Sequence, residues 1–175
     1  IGSTMSWTEY WNEGSTVYVN ARHRRVHYES VARDVQAYLP TREARVVDYG
    51  CGHALSAHLV ADACAQLYLC DSAPRLRESL SQRYRDRPNI AVISPRQFEM
   101  LVDGTIDLIM ANSVVQYLTA SEFTHLLAVA RAKLGPGGRL VLADIVPRHV
   151  GALTDAAEFL KFAKANGFLV SAAAG

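Results

Sequence analysis

The stretch VVDYGCGHALSAHL, residues 46–59, sets an acid, Asp48, at the end of an apolar run and two glycines, Gly50 and Gly52, just behind it. A short apolar run closed by glycine reads as a buried strand running out into a turn. A plain turn needs one glycine at most. Two of them free the backbone for unusual φ/ψ and let another molecule come close. With an acid before them and a helical pattern after them, they suggest room kept for a ligand. A tight strand-to-helix turn is the plainer reading of the same residues.

The pattern on either side continues in the same style. Upstream, NARHRRVHYESVARDVQAYLP carries Tyr28, Val31, Val35 and Tyr38 at helical spacing, with Asn20 placed to cap it and Pro40 to close it. ALSAHLVADAC predicts a helix over 54–64 with Leu55, Leu59 and Ala63 on one face. AQLYLCDS is the next strand and ends in Asp71; APRLRESLSQRY follows as a helix, its Pro74 tolerated in a first turn. NIAVIS and TIDLIMANS are a third and fourth strand. TASEFTHLLAVARAKLGPGG is a helix with a Thr119–Glu122 capping box, a stripe of Phe123, Leu126, Leu127 and Ala130, and a Gly135–Pro136 stop. RLVLADIV is a fifth strand, TDAAEFLKFAKANG a last helix, and FLVSAAA begins a sixth strand.

Strands alternating with helices mean crossover units and a parallel sheet covered on both faces, a doubly wound α/β fold. Such sheets bind ligands at the carboxyl ends of their strands, near the switch in strand order. That places Asp48, Asp71, Ser94 and Asn112 along one edge.

Bulk properties narrow the classes. The chain has 175 residues, half of them hydrophobic, and a net charge of +1. That is one domain over 1–175, with an N-terminal arm and helix at 5–40 and an α/β core at 44–175; the IGST before Met5 reads as a cloning remnant. The charge offers no case for nucleic acid or a membrane surface, and no apolar run approaches the ~20 residues of a membrane helix. Cys51, Cys64 and Cys70 form no CxxC pair, and the histidines show no zinc-like spacing, so no metal is expected. A sparse, odd cysteine count fits a reducing compartment, and the protein is read as cytoplasmic.

Asp71 lies about 20 residues beyond the glycines, where a carboxylate accepts hydrogen bonds from both hydroxyls of a ribose. Glycine loop plus ribose acid says a nucleoside-containing ligand. A dinucleotide site wants G-x-G-x-x-G, but Leu55 stands at the last glycine, and Asp48 would repel a pyrophosphate while suiting a cation.

At this point the chain resembles the class I S-adenosylmethionine-dependent methyltransferases. VVDYGCG is similar to that family's first motif, Asp71 in LYLCDS to its ribose acid, TIDLIMANSVVQYL to its fourth-strand motif, and AKLGPGGRLVLAD to its turn and fifth strand. The family's sheet has seven strands, the last antiparallel, so the resemblance implies a Rossmann-like sheet that stops here after the sixth. It implies that Asp48, Tyr49 and the Gly50–Cys51–Gly52 backbone surround the methionine portion of S-adenosylmethionine. Asp71 then holds the ribose with Ser72 beside it. The loop from Ser94 to Phe98 borders the adenine; the family often has an acid there, and this chain has Pro95, Arg96 and Gln97, leaving the role to Gln97 or to the backbone. Asn112, Ser113 and Gln116 line the mouth toward which the methyl group points.

From the N-terminal arm, Arg22 and Tyr18 are candidates for the methionine carboxylate, and Trp11, with Gln116 and Tyr117, for the acceptor. Trp11 is equally placed to pack the arm, and Tyr117 the core. His23, His27 and Tyr117 are the candidate bases; a base is needed only where the acceptor is protonated. The acceptor is read as a small molecule, because Ala111-Asn112-Ser113-Val114 is not the Asn-Pro-Pro-Tyr type linked with methylation of amide or base nitrogen. Two other readings stand beside this one: an NAD(P)-dependent oxidoreductase, and a binding module that kept the fold without turnover.

Overall fold

The structure is a computed structural model and describes residues 20–145 and 165. Its first element is helix α1, Ala21–Tyr38, capped by the Asn20 side chain, which accepts from the His23 N–H at 2.8 Å. Strand β1, Arg45–Tyr49, leads through the glycine turn into the short helix α2, Ala57–Ala61. Strand β2, Gln66–Cys70, is followed by helix α3, Pro74–Arg83, and strand β3, Ile90–Ile93, by helix α4, Pro95–Glu99. Strand β4, Ile106–Asn112, passes through a 3-10 turn at Val115–Tyr117 to helix α5, Ala120–Lys133, and on to strand β5, Leu134–Ala143.

The five strands form one sheet in the order β3-β2-β1-β4-β5, every pair parallel. Neighbouring residues of β1 feed opposite faces, as the pleat requires. Val46 joins Leu67, Leu108, Val35, Val60 and Leu80 in the core under α1, α2 and α3. Val47 joins Ile106, Ile109, Phe98, Leu126 and Ala130 under α4 and α5. The sheet is therefore covered on both faces, as the alternation of elements predicts. The strand order turns between β1 and β4, so the ends of those two strands open a crevice. No helix of the described residues is long and apolar enough to cross a membrane.

Three local expectations are corrected. The helix expected over 54–64 is only Ala57–Ala61, and it buries Ala57, Val60 and Ala61 rather than a Leu55–Leu59–Ala63 face. The backbone before it is held elsewhere: the His53 N–H donates to Tyr28 Oη, Tyr84 Oη donates to the Ala54 carbonyl, and Ala54 has a φ of 40°. In α5 the buried stripe is Leu126, Ala130 and Lys133, while Leu127 is exposed. The start of α5 stands over the crevice instead of the sheet. Lys133 is tolerated inside because its ammonium donates to the Leu101 carbonyl at 2.7 Å and pairs with Asp103 at 2.6 Å. Finally, β5 begins before the GPGG turn: Leu134 pairs with Ile106, and the register then jumps so that Arg139 pairs with Leu108. The last helix and the sixth strand expected at 154–174 lie, except for the helical Ala165, outside the described residues, as do Trp11 and Tyr18.

Candidate active site

The glycine turn is built by its neighbours. Gly50 has a φ of +72°, and a Cβ there would lie 2.4 Å from Val114 Cγ2. Gly52 has a φ of +57°, and its Cβ would lie 2.9 Å from Tyr28 Oη. Backbone handedness and space both demand glycine at these positions. The turn is tied down at several points. The Gly50 and Cys51 N–H groups donate to the Cys70 carbonyl at 2.7 and 3.2 Å. Tyr28, buried on α1, accepts from the His53 N–H at 2.9 Å. Arg83 donates to the His53 carbonyl at 2.6 Å.

Above this turn lies a cavity of about 670 Å³. Its floor holds Asp48, Gly50, Cys51, Gly52, Asp71 and Ser72. The ends of β4 and β5 supply Asn112, Ser113 and Asp144, and the segment after β4 supplies Val114, Gln116 and Tyr117. His23, His27 and Tyr28 face it from α1. Pro95 and Glu99 of α4, with Glu122 and His125 of α5, complete the far wall.

Asp71 is 7% exposed. Its Oδ2 accepts from the Gly52 N–H at 3.1 Å and its Oδ1 from the Ala73 N–H at 2.9 Å. A carboxylate has room for about four hydrogen bonds, so each oxygen keeps capacity for one more partner. Burial raises its pKa, against the lowering effect of those N–H groups and of Arg77. Asp48 differs: no hydrogen bond to its side chain is found among the described residues. Burial, seconded by the charge of Asp71, pushes its pKa up to about 7. Ser72 Oγ is likewise buried and without a hydrogen bond. Tyr49 packs edge-on against Phe98, 5.8 Å between ring centres, and burial holds its pKa at about 12. Burial also drives the thiols of Cys51 and Cys70 well up, so both stay protonated and inert.

At the mouth, Ser113 and Asp144 both adopt left-handed backbone, φ 56° and 51°, and the Ser113 hydroxyl donates to Asp144 Oδ2. Asn112 Nδ2 donates to Ser113 Oγ at 3.2 Å, and Gln116 Nε2 to the Ser113 carbonyl at 2.8 Å. His125 meets Glu99 at 2.9 Å across the far wall.

The structure thus gathers most of the expected residues: Asp48, Tyr49, Gly50, Cys51, Gly52, Asp71, Ser72, Asn112, Ser113, Gln116 and Tyr117 all line the cavity. Three do not. Arg22 is exposed on α1, and its neighbour His23 faces the cavity instead. Ser94 and Gln97 spend their side chains on each other in the capping box of α4: Gln97 Oε1 accepts from the Ser94 N–H at 2.8 Å. In that segment Pro95 and Glu99 reach the cavity. The sequence reading missed Asp144, Glu99 and the clamp made by Tyr28. Asp144 carried a usable signal, since it is a strand-end acid like Asp48 and Asp71. Tyr28 and Glu99 carried none beyond helical spacing.

These features suit S-adenosylmethionine. Gly50 and Gly52 leave a cradle that a Cβ would fill, Asp71 has acceptor capacity for a ribose, and Asp48 and Ser72 Oγ are polar groups awaiting partners. Among the described residues no lysine or arginine lines the cavity to meet a pyrophosphate. The sheet order and the acid-flanked glycine turn at its switch point define a Rossmann-like class I methyltransferase. Comparison with known families agrees: the methyltransferase domain family matches residues 47–142, more than half of the chain, and the chain belongs to that family of S-adenosylmethionine-dependent enzymes.

Solved structures share the fold. The chain is similar to phosphoethanolamine N-methyltransferase 1 of Haemonchus contortus in complex with phosphoethanolamine and S-adenosylhomocysteine, with 21% identity and a TM-score of 0.62 over 78% of this chain and 30% of that one. It is similar to a SAM-dependent methyltransferase of Leishmania major, with 20% identity and a TM-score of 0.56 over 77% of this chain and 58% of that one. A geranyl diphosphate methyltransferase in complex with GPP and sinefungin gives 18% identity and a TM-score of 0.57 over 69% of this chain and 45% of that one. The chain therefore spans less than two thirds of the length of each of these proteins. No curated protein matches it.

Proposed function

We propose that this chain, acting as a single domain, moves a methyl group from S-adenosylmethionine to a small-molecule acceptor by direct in-line displacement. The observation that carries the reading is Asp71. It is a buried carboxylate at the end of β2, its two oxygens held by the Gly52 and Ala73 N–H groups, with acceptor capacity left for two ribose hydroxyls. In this reading the Gly50–Gly52 backbone passes along the methionine tail, and Asp48 faces the positive charge there. Ser72 gains its missing partner from the nucleoside. Pro95 and Glu99 border the adenine in place of Ser94 and Gln97. Asn112, Ser113 and Gln116 hold the acceptor end, with Tyr117 beside them; Trp11 and Tyr18 are proposed to close it from the arm.

Bound S-adenosylmethionine supplies a methyl group already activated by the sulfonium. The protein's work is alignment and exclusion of water. Holding nucleophile and methyl carbon roughly 3–3.5 Å apart removes about 7–11 kcal/mol of barrier. Phosphoethanolamine and GPP, the ligands of two structural neighbours, carry phosphate. The described wall of this cavity offers phosphate no lysine or arginine, which favours an acceptor without phosphate. The three free, buried cysteines support a reducing, cytoplasmic setting.

The test is calorimetric titration of S-adenosylhomocysteine into the protein and into Asp71→Ala. Loss of a charged hydrogen-bonding partner costs about 1.5–3 kcal/mol, so affinity should fall by about 10- to 150-fold. Unchanged affinity removes Asp71 from the site and the reading with it.

A further inference from the structure

The charge on the cavity wall is one-sided. Carboxylates enter it from five elements or their ends: Asp48 after the apolar run of β1, Asp71 after β2, Glu99 on α4, Glu122 on α5 and Asp144 after β5. Facing them among the described residues are three histidines, His23 and His27 on α1 and His125 on α5, and no lysine or arginine. Burial lowers the pKa of both His23 and His27, so neither brings a lasting positive charge at neutral pH. Asp48 sits deep in this wall with no hydrogen bond among the described residues. S-adenosylmethionine carries a sulfonium, an ammonium and a carboxylate, a net charge of +1. One such cation, even with Asp48 only partly ionised, leaves an excess of negative charge from Asp71, Glu99, Glu122 and Asp144.

Three of these carboxylates, Glu99, Glu122 and Asp144, are exposed, and Asp144 is the one that stands beside the residues at the end of β4. This residue is exposed, lines the mouth and lies in left-handed backbone, and its carboxylate accepts from the hydroxyl of Ser113, itself in left-handed backbone at the end of β4. Asn112 and Gln116, the polar side chains at the acceptor end, both donate to Ser113. Asp144 is the carboxylate this network presents to an arriving molecule.

We propose that the acceptor is a small amine that enters as its ammonium ion, and that Asp144 is the residue that selects it. The inference rests on the methyltransferase reading above and names the substrate class of that site. In the transfer, one N–H bond of the ammonium breaks and its proton passes to solvent water at the mouth. The electron pair left on nitrogen forms the N–CH₃ bond while the S–CH₃ bond breaks with its pair staying on sulfur. The products are the methylated amine and S-adenosylhomocysteine. Carboxylate and phosphate acceptors are rejected because they add negative charge to a wall that already holds too much.

The experiment measures binding to the protein saturated with S-adenosylhomocysteine, by calorimetry at pH 7, with two size-matched sets: propylamine, propanol and propionate, then 2-phenylethylamine, 2-phenylethanol and 3-phenylpropionate. In at least one set the amine should bind at least tenfold tighter than its neutral and anionic counterparts. Asp144→Asn should erase that preference while leaving S-adenosylhomocysteine affinity within about twofold, which also shows that the variant is folded. Equal or tighter binding of the alcohol or the carboxylate overturns the proposal, as does binding of none of the six. Preference retained in Asp144→Asn, or cofactor affinity lost in it, overturns the role of Asp144. Failure of the parent protein to bind S-adenosylhomocysteine sinks the methyltransferase reading itself, and is seen before any amine is added.

Discussion

At Gly50 two separate demands meet on one residue. Its φ of +72° excludes an ordinary side chain, and Val114 Cγ2 already occupies the place of a Cβ. Gly50→Ala should destabilise the protein by at least about 1–2 kcal/mol from handedness alone, with the clash added. Val114→Ala in the same chain should recover the clash and leave the backbone cost, as read by urea unfolding. Full recovery, or no loss in the single variant, contradicts this account. Asp48 makes a second prediction. Its pKa is raised from 3.8 to about 7, so the folded protein holds a proton there that the unfolded chain releases. That contribution is complete below the unfolded value and is lost as pH rises through about 7. A tenfold difference in proton affinity between folded and unfolded chain is worth about 1.4 kcal/mol, so the contribution of Asp48 to the cofactor-free protein should fall by on the order of 4 kcal/mol between pH 4 and 8. Asp48→Asn should flatten that slope. In the proposed binding mode S-adenosylmethionine runs the other way, because a cationic tail beside Asp48 would favour its ionised form. Affinity should climb with pH up to about 7 in the parent and lose that climb in Asp48→Asn.

At the scale of elements, the glycine turn depends on a helix that precedes it by more than ten residues. Helix α1 packs Tyr28, Ala32 and Val35 inward, and the hydroxyl of Tyr28 takes the His53 N–H at 2.9 Å while shielding Gly52. The helix is thus one wall of the cavity and the clamp of its floor. Tyr28→Phe keeps the ring and removes the hydroxyl. Loss of its hydrogen bond from the His53 N–H should cost about 1 kcal/mol of stability. It should also weaken S-adenosylhomocysteine binding, because the turn is no longer held. Thermal unfolding and calorimetry read the two effects, and an unchanged cofactor affinity would separate α1 from the site. The shortness of α2 has the same origin. Tyr28 and Tyr84 take the backbone of His53 and Ala54 out of helical geometry, so the helix begins only at Ala57.

For the whole molecule, the switch in strand order between β1 and β4 opens the crevice, and carboxylates from both halves of the sheet close on it. A ligand bound only by the folded state adds roughly 2.7 kcal/mol at a hundred times its dissociation constant. For a chain of this length that raises the unfolding midpoint by about 5–10 °C. S-adenosylhomocysteine should produce such a rise, and NAD+ at the same concentration none, since the described wall holds no lysine or arginine for its pyrophosphate. A rise with NAD+ alone would return the oxidoreductase reading.

What the sequence determined by itself is whatever depends on near neighbours in the chain. The alternation of elements, the Asn20 cap, the Thr119–Glu122 box and the strand-end acids Asp48 and Asp71 all come from patterns a few residues long. A covered parallel sheet follows from them with its ligand edge. Ser94 and Gln97 show the limit of the same signal: their spacing is that of a capping box, and in the folded chain that is where their hydrogen bonds go. Only the tertiary structure decided that Tyr28 clamps the turn, that Glu99 rather than Gln97 reaches the cavity, and that Asp144 meets Ser113. Each of these depends on where segments far apart in the chain come to lie. The sheet's register and strand order, set by burial over the whole core, bring those side chains together, and no short-range pattern records where a crossover will land.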